Sequence, residues 1–157
     1  MNQIELVQKL DTFFNIQAFD ECDFWSRVIP PGDLPVYHRF AEPEFVKGPW
    51  NGLMLNSTGE IDRVYLIVFP GQKVLDTVLA LELDRGAPGA LIVAHHPADF
   101  EESGRGFIGI SEAQLEELRE HHISYYSCHA PLDCHQEIST VIALAHALRL
   151  HDWELFS

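Results

Sequence analysis

The chain has 157 residues, with 24 Asp and Glu against 10 Lys and Arg, a formal net charge of −14 with neutral histidines. That charge excludes a nucleic-acid partner, which needs a basic face, and an anionic membrane surface. An apolar content of 46% excludes wholesale disorder, and the length suits one compact domain whose core needs no disulfides. Histidine is the unusual component: there are nine, against three lysines (Lys9, Lys47 and Lys73). The cysteines Cys22, Cys128 and Cys134 are odd in number and form no Cys-x-x-Cys pair, which points to a reducing compartment. Glu5 sits where a secretion signal would be apolar. The longest apolar run, residues 64–69, is far short of the ~20 residues that span a bilayer. A soluble, cytoplasmic protein is expected.

Ile4, Val7, Leu10 and Phe14 recur at helical spacing and predict a leading helix over residues 2–14. Residues 15–49 hold five of the nine prolines, so this segment is expected to be irregular, packed against the rest by Phe19, Phe24, Trp25 and Tyr37. The β-branched and aromatic run 64–69 is apolar on both faces and stops at Pro70-Gly71, which predicts a buried strand. Val74, Leu75, Val78, Leu79 and Leu83 then predict a helix over 72–85, ended by Gly86. Residues 90–94 predict a second buried strand, followed by a loop containing Gly104, Gly106 and Gly109. Ser111 with Gln114 predicts a capping box for the next helix, and residues 123–128 a third strand. Asp133, with Gln136 three residues on, predicts the cap of a last helix with Ile138, Val141, Ile142, Ala145 and Leu148 on one face.

This order gives a single α/β domain over 1–157, a three-layer fold with a mostly parallel sheet built from βαβαβα and helices on both faces. Within it, residues 1–14 form the leading helix, 15–49 the irregular proline-rich segment and 50–157 the core that carries the site. Ligands of open parallel sheets bind outside the carboxyl ends of the strands. The second predicted strand ends at Ala94 and runs into His95-His96-Pro97; the third ends at Cys128 and runs into His129, with Asp133 four residues on. On strands about 4.8 Å apart these side chains converge. Imidazole and carboxylate together suit a divalent Zn, Fe, Mn, Co or Ni ion. Blander readings compete: adjacent surface histidines, a helix cap for Asp133, a strand-end role for His129, and small buried hydrophobes for Cys128 and Cys134. His121 and His122 precede the third strand and fall at the opposite pole, while His38, His146 and His151 have no place in the site.

ALIVAHHP and SCHAPLD, each after a predicted strand, resemble motifs of the NIF-three-like family of dinuclear-metal-centre proteins, whose members carry the label type 2 GTP cyclohydrolase 1 homolog. Trp50-Asn51-Gly52-Leu53 is similar to that family's Trp-Asp-Asn-x-Gly-Leu segment, lacking the Asp and one spacer, and the resemblance runs over residues 50–150. It implies His95, His96 and Asp133 as metal ligands, with His95 and His96 each on one of two metals and Asp133 on one of them; without the family's second half, one or two ions per site are expected. His129 is a further ligand or, as the catalytic candidate, orients water or shuttles a proton. The implied activity is metal-dependent hydrolysis of a nucleotide-like or heterocyclic small molecule in a homo-oligomer. The family's later His-x-x-x-Glu segment has no counterpart after Asp133. A second polypeptide supplying the missing ligands, a reduced member of the family, and a relic are therefore all open. Two other readings stand beside the hydrolase: a non-catalytic metal-binding or oligomeric interaction module, and a purely structural domain.

Overall fold

The computed structural model describes residues 1–86, 89–101, 104 and 106–151. Helix α1 (Gln3–Phe14) starts where the Asn2 side chain accepts a hydrogen bond from the Glu5 amide at 3.2 Å, and it ends at Asn15 in the left-handed conformation. Residues 15–49 are more ordered than their prolines suggest. They form a 3-10 turn (Ile16–Ala18) and three short helices, α2 (Cys22–Val28), α3 (Leu34–Phe40) and α4 (Pro43–Val46). Pro35 and Pro43 sit in the first turns of α3 and α4, where a missing N–H costs nothing. Proline here starts helices rather than preventing them, and this corrects the expectation of an irregular segment.

The main sheet has the order β1-β6-β3-β2, with β1 (Gly52–Leu55), β2 (Arg63–Ile67), β3 (Ala90–Ala94) and β6 (Ile123–Ser127). β2, β3 and β6 are parallel; β1 is a four-residue strand antiparallel to β6 that the sequence pattern does not announce. A mostly parallel α/β sheet is thus observed. Between the strands lie α5 (Gln72–Arg85), a hairpin of β4 (Asp99–Glu101) and β5 (Gly106–Ile108), and α6 (Glu112–Glu120). That hairpin replaces the expected glycine loop, part of which lies outside the described residues. Gly86 ends α5 in the left-handed conformation and Ser111–Gln114 forms the capping box of α6, both as expected.

Helices cover both faces. On one, Trp25, Tyr37, Phe40, Phe45, Leu75, Val78, Leu115 and Leu118 pack on Ala90, Ile92 and Tyr125. Burying Leu75 or Val78 in this way contributes roughly 1.5–3 kcal/mol each. On the other face, Leu6, Val7, Leu10 and Phe14 of α1 pack on Leu91, Val93 and Tyr126. α1 does not extend over β2. That strand is the edge of the sheet, and Val64, Leu66 and Val68 are exposed, Leu66 at 80%. A strand buried on both faces was expected at 64–69; an apolar run cannot distinguish a central strand from an uncovered edge.

The end of the chain also departs from expectation. Asp133 closes a short helix, α7 (Ala130–Asp133), instead of opening the last one. The last helix, α8 (Thr140–Ala147), is capped by Ser139, whose hydroxyl accepts from the Ile142 amide at 3.3 Å. Ser139 holds the cap, so the Asp133 carboxylate is left for other work. Only Ile142 and Ala145 of α8 are buried; Ile138, Val141 and Leu148 are exposed.

Candidate metal centre

Register places the site. Ile67, Ala94 and Ser127 are level across β2, β3 and β6, so the three strands end together. The ladder continues one step: the His95 and His96 amides donate to Ile67 and Val68 carbonyls at 3.0 Å, and the Cys128 amide to Ala94 at 2.9 Å. Two buried tyrosines then fix the turn after β3. Tyr125 donates its hydroxyl to the His96 carbonyl at 2.7 Å, and Tyr37 donates to the Pro97 carbonyl at 2.8 Å while accepting from the Ile110 amide. His95, His96 and His129 gather here, with ligand-type nitrogens all within 4.8 Å of one another.

Each ring has its own environment. His95 Nδ1 lies 3.2 Å from the Cys128 carbonyl oxygen, which can only accept, so Nδ1 carries the proton in this contact. His96 lies face to face with Phe69, with centroids 4.2 Å apart, and Trp25 meets both His96 and His129 edge-on. Burial, reinforced by the neighbouring His95 and His129, pushes the His96 pKa down to about 3, so it is the neutral, ligating form near pH 7. Its Nδ1 is buried with no hydrogen-bond partner among the described residues. An orphaned buried imidazole nitrogen costs free energy, and a metal ion would satisfy it. Asp133 presents its carboxylate to the cluster, 3.5 Å from His95 Nε2 and 3.9 Å from His129 Nε2. The donor set of three imidazoles and a carboxylate fits a borderline divalent ion.

His129 is held by a residue that sequence reasoning missed. Glu21 Oε1 lies 2.5 Å from His129 Nδ1, while Glu21 Oε2 accepts from the Ala130 amide at 3.0 Å and from Asn51 Nδ2 at 2.7 Å. Asn51 Oδ1 in turn accepts from the His129 amide at 2.7 Å. Burial raises the Glu21 pKa, but the hydrogen bonds from His129, Asn51 and Ala130 outweigh it and hold the carboxyl below its usual range. Asn51 reaches both partners because the backbone turns sharply on either side of it, with Trp50 at φ 55° and Gly52 at φ 101°. A left-handed Trp costs roughly 1–2 kcal/mol; here its ring is buried and its amide donates to the Phe45 carbonyl. Glu21 is 108 residues from His129 in the chain, among other acids, and no spacing marks it.

The other histidines are elsewhere. His122 lies in the turn before β6, its Nδ1 3.3 Å from the Ser57 carbonyl, and His135 stacks on Phe13. His38, His146 and His151 are exposed. Burial pushes the Cys128 thiol up to about 12, which suits a packing residue. A cleft of about 210 Å³ is lined by Asp11, Gln17, Glu42 and Asn51, but none of the clustered histidines reaches it. The convergent donors, not that cleft, mark the site.

Fold and site together define an α/β protein with a cluster of candidate metal ligands at the carboxyl edge of its parallel strands. Residues 37–157 match the family model described as Duf34/NIF3 (NGG1p interacting factor 3), and the chain belongs to that family. It is 30% identical over 100 residues to a GTP cyclohydrolase 1 type 2 homolog of Yersinia pestis, covering 64% of this chain and 38% of the relative. A protein of the same name from Pseudomonas aeruginosa is 26% identical over 98 residues, 62% of this chain and 36% of its own. Among solved structures, TTHA1606 from Thermus thermophilus superposes with a TM-score of 0.62 at 22% identity, over 99% of this chain and 51% of its own. The chain thus spans under two-fifths of the curated relatives it matches and about half of that solved chain. Among the described residues, no helix is long and apolar enough to cross a membrane.

Proposed function

We propose that this protein binds a divalent metal ion at His95, His96 and Asp133, with His129 beside them, and acts as a metal-dependent hydrolase on a nucleotide-like or heterocyclic small molecule. The observation that carries the reading is the buried, neutral His96, whose Nδ1 has no partner among the described residues, beside two imidazoles and a carboxylate. A divalent ion held there supplies an activated water near neutral pH. The chain's own residues do the rest. Phe69, Trp25 and Phe107 wall the cluster with apolar rings, which limits bulk water. Phe24 at 41% exposure, stacked parallel to His129, and Phe100 at 46% offer aromatic faces to a planar substrate. The name that the two relatives carry makes GTP the first compound to assay. The assay is hydrolysis by the metal-supplemented protein. Turnover that stops with a chelator and is lost in His96→Ala supports the reading; turnover that survives both contradicts it.

One observation favours a second reading, a metal-binding interaction module working as a homo-oligomer or with a second polypeptide. Apolar side chains of β2 (Val64, Leu66) and α8 (Val141, Leu144), with Val68 and Leu148 beside them, lie exposed, as surfaces awaiting a partner do. Full metal loading without turnover on any nucleotide or heterocycle would favour this reading.

A further inference from the structure

The Glu21 carboxylate can only accept, so the 2.5 Å contact places a proton on His129 Nδ1 and leaves Nε2 to face the cluster. His95 is set the same way by the Cys128 carbonyl. The two Nε2 atoms then lie on one side of the cluster, 3.5 and 3.9 Å from the oxygens of Asp133. A cation placed between these two nitrogens and the carboxylate would be attracted by all three. Ring nitrogens oriented by a carboxylate or a backbone carbonyl are the usual support of a metal-ligating histidine.

We infer that Glu21 is a positioning residue that holds the His129 ring with Nε2 toward His95 and Asp133, so that His129 serves the centre as a metal ligand through that nitrogen. The inference rests on the metal-binding reading above and assigns His129 the part of ligand rather than proton shuttle. It adds a residue from α2's approach, outside the 37–157 span that matches the family model. Each of the three rings offers a nitrogen within 4.8 Å of the others, so His129 stands within reach of the same centre as His95 and His96. Glu21 is braced at three points, by Asn51, Ala130 and His129, so the N-terminal segment fixes the ring before any ion arrives.

Two measurements on the full chain test this. Long-range ¹H–¹⁵N spectra of the metal-free protein at pH 8 report the His129 tautomer directly. The expected result is a proton on Nδ1, lost in Glu21→Ala. An Nδ1 that carries no proton would overturn the inference without any metal present. Zn²⁺ titration against a competing chelator gives the second readout. Wild type is expected to bind one ion per chain, Glu21→Ala to bind ~10–100-fold more weakly, and Glu21→Gln to lie between. Glu21→Ala combined with His129→Ala should bind no more weakly than His129→Ala alone, because Glu21 acts through that ring. Should Glu21→Ala fail to fold by circular dichroism, Glu21→Gln carries the comparison. Unchanged affinity in the folded Glu21 variant would overturn this inference and leave the metal-binding reading intact. No uptake by the wild type would overturn both.

Discussion

At the scale of single residues, His96 carries a pH dependence whose sign follows from its burial. The metal-free folded chain holds His96 neutral down to about pH 3, whereas an unfolded imidazole takes up a proton near its ordinary value of 6.5. Protons therefore favour the unfolded state between those values. The stability that His96 gives is fully present above about pH 6.5 and drains away as pH falls toward about 3. We expect the urea midpoint of the metal-free protein to fall between pH 7.5 and pH 5, and His96→Phe to flatten that fall; a midpoint equally pH-dependent in both would contradict the assignment. Bound metal should leave over the same acid range, because protons compete for the imidazoles. Tyr125 makes a second, independent prediction. Tyr125→Phe leaves the buried His96 carbonyl without its hydroxyl donor, which should cost about 1–3 kcal/mol in denaturant unfolding. Equal stability would mean that the turn after β3 does not depend on that bond.

At the scale of elements, what could be read from the sequence was what local chemistry determines. The α5 stripe with Gly86, the Ser111–Gln114 capping box and the strands at 90–94 and 123–127 each carry their own signal, and the register of those strands brings His95, His96 and His129 together. What could not be read depends on distant partners. β1 is four residues long and exists because β6 pairs with it; β2 reads as buried, but it lies at the edge of the sheet beyond the cover of α1; Glu21 reaches the site only because α2 packs there. Asp133 was legible in position and not in local role, since it shares the cap signature with Ser139. The two separate by mutation. Ser139→Ala should cost roughly 0.5–2 kcal/mol as a lost cap. Asp133→Asn, at a side chain 43% exposed and free of cap bonds, should leave the melting temperature nearly unchanged while weakening metal binding. The reverse pattern would restore the capping role to Asp133.

At the scale of the whole molecule, a net charge of −14 coexists with exposed apolar side chains on β2 and α8. The charge opposes non-specific association, so any self-association should come from those faces and strengthen as salt screens the repulsion. Sedimentation equilibrium of wild type against Leu66→Lys tests this: we expect a larger species in the wild type that the variant loses, and a monomer in both would count against the oligomeric reading. The fold's main contribution is to end three parallel strands level, brace the turns with Tyr37, Tyr125 and Asn51, and leave three imidazoles facing one another with the Asp133 carboxylate beside two of them. Whether those donors take a metal is the central question, and elemental analysis of the untagged protein answers it. After supplementation with Mn, Fe or Zn we expect close to one ion per chain, falling in His96→Ala; less than about a tenth of an ion per chain in the wild type would contradict a metal centre.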